Sequence, residues 1–435
     1  MKKTTITLLL SFSCCWLAAQ CPTGDITFTT QGQIDSFPMN YPNCSEMESS
    51  IVISGSSIVR LDSLYPLKKI GGSLKISQTS LTDLQGLQNL TYTGLAGQVF
   101  GIDDYYESGL DILDNPLLAS LHGLENLATV KGCVEVGSNQ SLASLSALGS
   151  LEHVGSCEFH SGAYSSYGSI TLTENPALKS LIGLHRIGSV PGDVTIWHNI
   201  ALKSMIGLDH IQSVGGELSI RNSDSLTTLS GLENLDSLGM CLYLQDNPAL
   251  VSLDALAGLR FIGSCLIFTG GFVPKLANLS IVNNPMLNSL QGLGQVTFIG
   301  LDRVYIKSCP MLSVCEIQPI CAHLAAGALG FVSDNAPGCN SVAEIEAACM
   351  VSIEETSSGG PVLLLSPSPA SDFLQIQISD PETWDLRLFD LQGRQMFRQS
   401  VSGSQTIPLH DWPAGLYTLR AVSGGRVFTG KVVKQ

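Results

Sequence analysis

The stretch LYLQDNPALVSLDALAGLRFIG, residues 242–263, sets apolar side chains at every third position: Leu250, Leu253, Leu256, Leu259 and Ile262. They follow a short alternating strand anchored at Leu244. A period of three is neither the 3.6 of a long α-helix nor the 2 of a strand. It suits a coil that turns through short 3₁₀ pieces and extended bends. The unit recurs, with strand anchors at Val52, Ile76, Ile112, Val136, Leu172, Ile196, Ile220, Leu244, Ile281 and Ile306. Successive gaps are 24, 36, 24, 36, 24, 24, 24, 37 and 25, so the period is 24 with three insertions. A fixed period of this length means stacked coils.

One coil cannot stand alone. Its six or so aliphatic side chains are worth roughly 9 to 18 kcal/mol when buried, and ordering 24 residues costs at least about as much. Stacking has to close the gap. Asn lies three residues past the anchor in six units (Asn115, Asn139, Asn175, Asn199, Asn247, Asn284). A buried Asn at each bend can bond backbone groups that no strand pairs, and stacked copies would form a ladder. A Gly or Ala before the middle apolar residue, such as Gly183 or Ala255, lets coils approach closely.

The unit LxIxxNPxLxSLxGLxxLxxIGG resembles the receptor L-domain type of leucine-rich-repeat fold, over about residues 50–350. The resemblance implies a mainly β protein: a right-handed parallel β-solenoid of about ten 24-residue coils. It brings no functional residue, because the shared motif is structural. Ser223 and Cys309 stand where the Asn belongs.

The ends have other grammars. Lys2 and Lys3 precede an apolar run, Thr4 to Leu17, and small residues follow at Ala18 and Ala19. Residues 1–20 thus read as a signal peptide. No stretch reaches the ~20 apolar residues of a transmembrane helix. Residues 21–50 read as an N-terminal cap with a strand from Ile26 to Thr30, broken by Gly32 and Pro38. The array runs over 51–314, and a Cys-rich C-terminal cap over 315–351, with helical patterns at Ile317–Leu329 and Ser341–Ala348. A polar linker, 352–361, leads to a small β-sandwich at 362–435, with about seven short strands.

That last segment resembles the C-terminal sorting domain of type IX secretion substrates. The matching residues are Pro367, Pro369 and Ala370, the turn Asp390–Gly393–Arg394, the strand Pro413–Gly415–Tyr417, and a basic end at Lys431 and Lys434. The resemblance implies the type IX machinery of a Bacteroidetes-type bacterium as partner. It also implies an extracellular or outer-membrane-surface location, reached through the periplasm, with the domain removed on the way.

Thirteen Cys in an exported chain make disulfides plausible. Cys21 and Cys44 bracket the N-terminal cap. Cys133 and Cys157 are one period apart, as are Cys241 and Cys265. Equivalent positions in neighbouring coils lie about 4.8 Å apart, within disulfide reach, so both bridges are expected, with four buried thiols as the alternative. Cys309, Cys315, Cys321, Cys339 and Cys349 are odd in number and their pairing is not readable.

The three insertions, Leu95–Ser108, Cys157–Tyr167 and Cys265–Ala277, enter at one phase of the coil and should leave one side of the rod. They carry Phe100, Tyr105, Tyr106, Phe159, His160, Tyr164, Tyr167, Phe268 and Phe272, in a chain only 6% aromatic. Insertions of a solenoid often gather on a binding face. These aromatics are the candidate ligand contacts; the alternative is that they pack the loops onto the rod.

A net charge of -15 argues against nucleic acid as a partner. The chain holds no GxSxG, HExxH, P-loop or GxGxxG motif. The strand-face acids Glu135 and Glu217 do not form a pair, the eight His are scattered, and no motif asks for a metal or cofactor. The reading is a non-catalytic surface or secreted protein that binds an extracellular protein or glycan. The alternatives are a glycan-acting enzyme or its binding accessory, and a structural spacer.

Overall fold

The computed structural model describes residues 21–99, 104–161, 164–263, 278–300, 303–355, 363–366, 370, 373–378, 382–390, 394–413, 415–423 and 426–434. The chain divides into two compact units, with the boundary between Cys349 and Met350.

The first unit is a β-solenoid. Its main sheet joins twelve parallel strands in chain order, from Ile26–Phe28 to Leu329–Ser333. One inward row crosses every strand: Phe28, Ile53, Ile76, Ile112, Val136, Leu172, Ile196, Ile220, Leu244, Ile281, Ile306 and Val332. Two points differ from the sequence reading. The first anchor is Ile53, fully buried, because Val52 pairs with Lys75 on the outward row. Both caps also supply a strand, which carries the array to about eleven turns. An end coil is apolar on its open side, and continuing the sheet into the caps covers it.

The N-terminal cap holds a helix, Gln31–Asn40, where Gly32 and Pro38 had pointed to a break. Thr30 and Gln33 form a capping box, and Ile34 and Phe37 are buried against the first coil. Burial of that apolar pair outweighs weak local propensity. At the other end, helices Gln318–Ala325 and Val342–Glu355 flank the last strand. Ser341 Oγ accepts the Glu344 N–H at 3.2 Å, which starts the second helix.

Within each coil the apolar residues at three-residue spacing are buried, from Leu61–Leu64–Leu67 to Leu287–Leu290–Leu293. The Asn ladder runs beside them. Oδ1 of Asn139, Asn175, Asn199 and Asn284 accepts the N–H of Asn115, Asn139, Asn175 and Asn247 at 3.1 to 3.2 Å. Each Nδ2 donates to an anchor carbonyl of the preceding coil, as Asn175 does to Val136 at 2.9 Å. Asn335 in the C-terminal cap closes the ladder by accepting the Cys309 N–H. The residue before each ladder position is left-handed, with φ near +55° at Asp114, Ser138, Glu174, His198 and Asp246.

A few residues before each main-sheet strand the coil contributes to one of two smaller parallel sheets of two-residue strands, five in each. The first ends at His153–Val154 and the second begins at Ser189–Val190.

Four disulfides are closed among the described residues. Cys21–Cys44 ties the cap, with Cα atoms 4.9 Å apart, and Cys133–Cys157 joins adjacent coils at 5.2 Å. Cys315–Cys339 and Cys321–Cys349 hold the C-terminal cap, which leaves Cys309 a buried free thiol. Cys241 is disulfide-bonded, and Cys265, its expected partner, lies outside the described residues.

The second unit has two antiparallel sheets. Three strands, Leu363–Ser366, Phe373–Ile378 and Ser404–Pro408, form one. Gln395–Val401, Trp384–Phe389, Gly415–Ser423 and Arg426–Lys434 form the other. Trp384, Leu386, Leu388, Ile376 and Leu419 are fully buried in its core.

Candidate binding surface

Insertions one and two meet in a single antiparallel sheet. The hairpin Ala96–Val99 with Asp104–Ser108 lies against Cys157–Ser161, which turns back into the long strand Tyr164–Thr173. The C-terminal part of that strand continues into the parallel main sheet, where Ile170 faces Val194. A flap is therefore welded to the rod by one continuous strand. Register puts Tyr106 opposite Phe159, and Tyr105 opposite His160, although some fifty residues separate them. Tyr164 faces Ser161 at the hairpin turn. Tyr167 is 47% exposed. The Glu158 carboxylate, hydrogen-bonded to its phenol, raises the Tyr167 pKa, and Glu107 adds to the effect. Of the other expected contacts, Phe100, Phe268 and Phe272 lie outside the described residues.

Where the flap strand joins the rod, Gly168 pairs with Asp193. Asp193 Oδ1 accepts the backbone N–H of Glu217 at 2.8 Å. A Cβ at Gly216 would lie 1.9 Å from that oxygen, so the glycine is what seats the carboxylate. Glu217 faces Arg221 at 4.0 Å, and the Arg221 guanidinium stands 4.9 Å from the Tyr243 ring centre. Burial first, and then the Glu217 charge, hold the Tyr243 phenol well above its ordinary pKa. Trp197, 39% exposed, borders the cluster and donates its indole N–H to Asn222 at 3.0 Å. The acids expected on this face, Glu135 and Glu217, stand three strands apart, about 14 Å at sheet spacing. The neighbour of Glu217 is Asp193, which the sequence reading passed over. The 24-residue arithmetic that picked out the cysteines would have found it.

Farther along the same outer face, Tyr305 and Phe331 stack at 4.7 Å, with the Arg303 guanidinium 5.5 Å from the Phe331 ring centre. Phe331 is 43% exposed. The outer face thus presents aromatic rings beside ionised groups, which suits recognition of a polar ligand with apolar faces.

In the second unit, the turn acid Asp390 accepts both the backbone N–H of Arg394, at 2.9 Å, and its Nε, at 2.7 Å. Tyr417 is buried, and its hydroxyl donates to the Pro413 carbonyl at 2.7 Å. Gly415 pairs with Lys434, and Thr418 with Lys431. Ala370 bridges to Lys434, while Pro367, Pro369 and Gly393 lie outside the described residues. These contacts show the motif residues acting as turn and strand determinants of one sandwich.

Residues 365–435 match the secretion system C-terminal sorting domain. A tail of this kind directs its protein through the type IX secretion system, so the chain is a secreted or outer-surface protein. No curated protein matches the chain significantly. Among the described residues, no helix is long and apolar enough to cross a membrane. The expected signal segment, 1–20, lies outside the described residues.

Proposed function

We propose that the protein is a non-catalytic binding or adhesion module, delivered to the cell surface or the medium by its sorting tail after signal-peptide export to the periplasm. Its recognition surface is the outer face of the main sheet together with the flap. The observation that carries this reading is the junction of the flap strand with the cluster Asp193, Glu217, Arg221, Tyr243 and Trp197. Two insertions distant in sequence fold into one sheet beside that cluster, which extends the surface available to an extracellular protein or glycan. A spacer would not need this construction.

The test is binding of the full mature chain to arrays of glycans and matrix proteins, compared with Trp197→Ala and with a chain whose first two insertions are cut to the 24-residue period. Loss of at least tenfold in affinity in both supports the surface. A ligand held equally by all three would place recognition elsewhere.

The adjacency of Asp193 and Glu217 favours one second reading, a glycan-cleaving pair. Against it, the Asp193 carboxylate is engaged by the Glu217 backbone N–H. Turnover of oligosaccharides that disappears in Glu217→Gln would establish that reading and overturn the first.

A further inference from the structure

We propose that a groove at the break between the two small sheets, beside Pro191, binds the carboxylates of an acidic glycan. The inference is independent of the outer-face reading, because it arises from the break between the two small sheets.

In intact steps of the array, the residue after the two-residue strand donates its N–H to the coil before. Gly155 donates to Val130 at 2.9 Å, Gly215 to Val190 at 2.8 Å, and Gly239 to Val214 at 2.8 Å. A Cβ at these glycines would sit 1.8 to 2.2 Å from a backbone oxygen of that coil, so the approach is as close as glycine allows. Pro191 occupies the equivalent position between His153–Val154 and Ser189–Val190. Proline has no N–H to donate, and its ring forbids the same approach. The two strands are not paired, and a groove of about 1060 Å³ opens at that step.

Its walls gather what the sequence scatters. His153, His185 and His210 line it, with Arg186 and Glu152. Arg186 Nη1 holds Glu152 at 2.9 Å, and both side chains are about half exposed. An exposed pair of this kind is worth ~1 kcal/mol or less, so Glu152 holds the guanidinium only weakly. Among the described contacts Arg186 uses only Nη1, which leaves Nε and Nη2 for the two-pronged contact that guanidinium makes with carboxylates. Three imidazoles supply hydrogen-bonding nitrogens for hydroxyls and flat faces for sugar rings. In a chain of net charge -15 counted with His neutral, this groove sets one guanidinium and three imidazoles beside a single carboxylate. A peptide is the poorer fit: strand addition needs an extended edge, and these strands are two residues long.

The experiment is calorimetric titration of the full mature chain with a galacturonate oligomer, beside a neutral malto-oligosaccharide and hexaglutamate. The galacturonate oligomer should bind, with the other two at least tenfold weaker. Arg186→Gln should weaken binding at least tenfold by removing the guanidinium. Pro191→Gly should weaken it as much by restoring the N–H and closing the groove, with a melting temperature equal to or above the native one. No binding of the galacturonate oligomer, equal binding of either comparator, or native affinity in either variant overturns the proposal.

Discussion

Asn175 accepts the backbone N–H of Asn139 at 3.2 Å and donates through Nδ2 to the Val136 carbonyl at 2.9 Å, across a 36-residue gap that includes an insertion. The ladder therefore keeps its phase whatever the chain does between coils. Removing this amide strands buried groups on two coils, each at ~1–3 kcal/mol. Asn175→Ala should destabilise the solenoid by about 3 kcal/mol or more. At Ser223 the ladder is interrupted, since the serine hydroxyl reaches only the Arg221 carbonyl, at 3.4 Å. Ser223→Asn should restore both bonds and stabilise by about 1 kcal/mol. Denaturant midpoints of the mature chain check both.

The Cys133–Cys157 bridge closes 24 residues. Loop-closure entropy assigns such a bridge about 3.5 kcal/mol. A Cys133→Ala, Cys157→Ala double variant should lose about that much, and amide exchange should rise first in Cys157–Ser161, the strand through which the two insertions pair.

Cys309 is fully buried, and burial pushes its thiol pKa up. Both effects suppress the reactive thiolate. The native mature chain should be inert to a thiol reagent, and one thiol per chain should label in guanidinium without reductant. Two or more would mean an open bridge.

His323 is buried, its Nε2 has no hydrogen-bond partner in the described structure, and burial lowers its pKa. A lowered histidine leaves stability intact above the unfolded value, near 6.5. Below it, the unfolded chain takes a proton that the fold declines, so stability falls with pH until the folded pKa is passed. His323→Leu should remove this contribution. The variant's advantage over the native chain should widen between pH 7 and pH 5, read from urea midpoints at each pH.

Much of this molecule was legible because the solenoid is locally periodic. The every-third apolar residues marked the core, and the anchors from Ile76 to Ile306 fell on one row. The first anchor slipped by one residue, to Val52, because both Val52 and its neighbour Ile53 are β-branched and apolar; only pairing with Lys75 and Ile76 decides which faces in. The N-terminal helix was hidden by Gly32 and Pro38, whose local cost is overridden by burial of Ile34 and Phe37.

The sequence by itself determined the period, the Asn column, the mainly β class and the sorting tail, since each is written in residues that repeat or cluster within a few dozen positions. Only the tertiary structure decided that the first two insertions pair into one flap, and that His153, His185 and His210 line one groove beside Pro191. A period states which residue sits above which in the stack. It does not state which edge an inserted strand will choose, or how neighbouring coils rearrange when one N–H is missing from a ladder. Those depend on contacts between coils, where a partner becomes a neighbour only after the rod has formed.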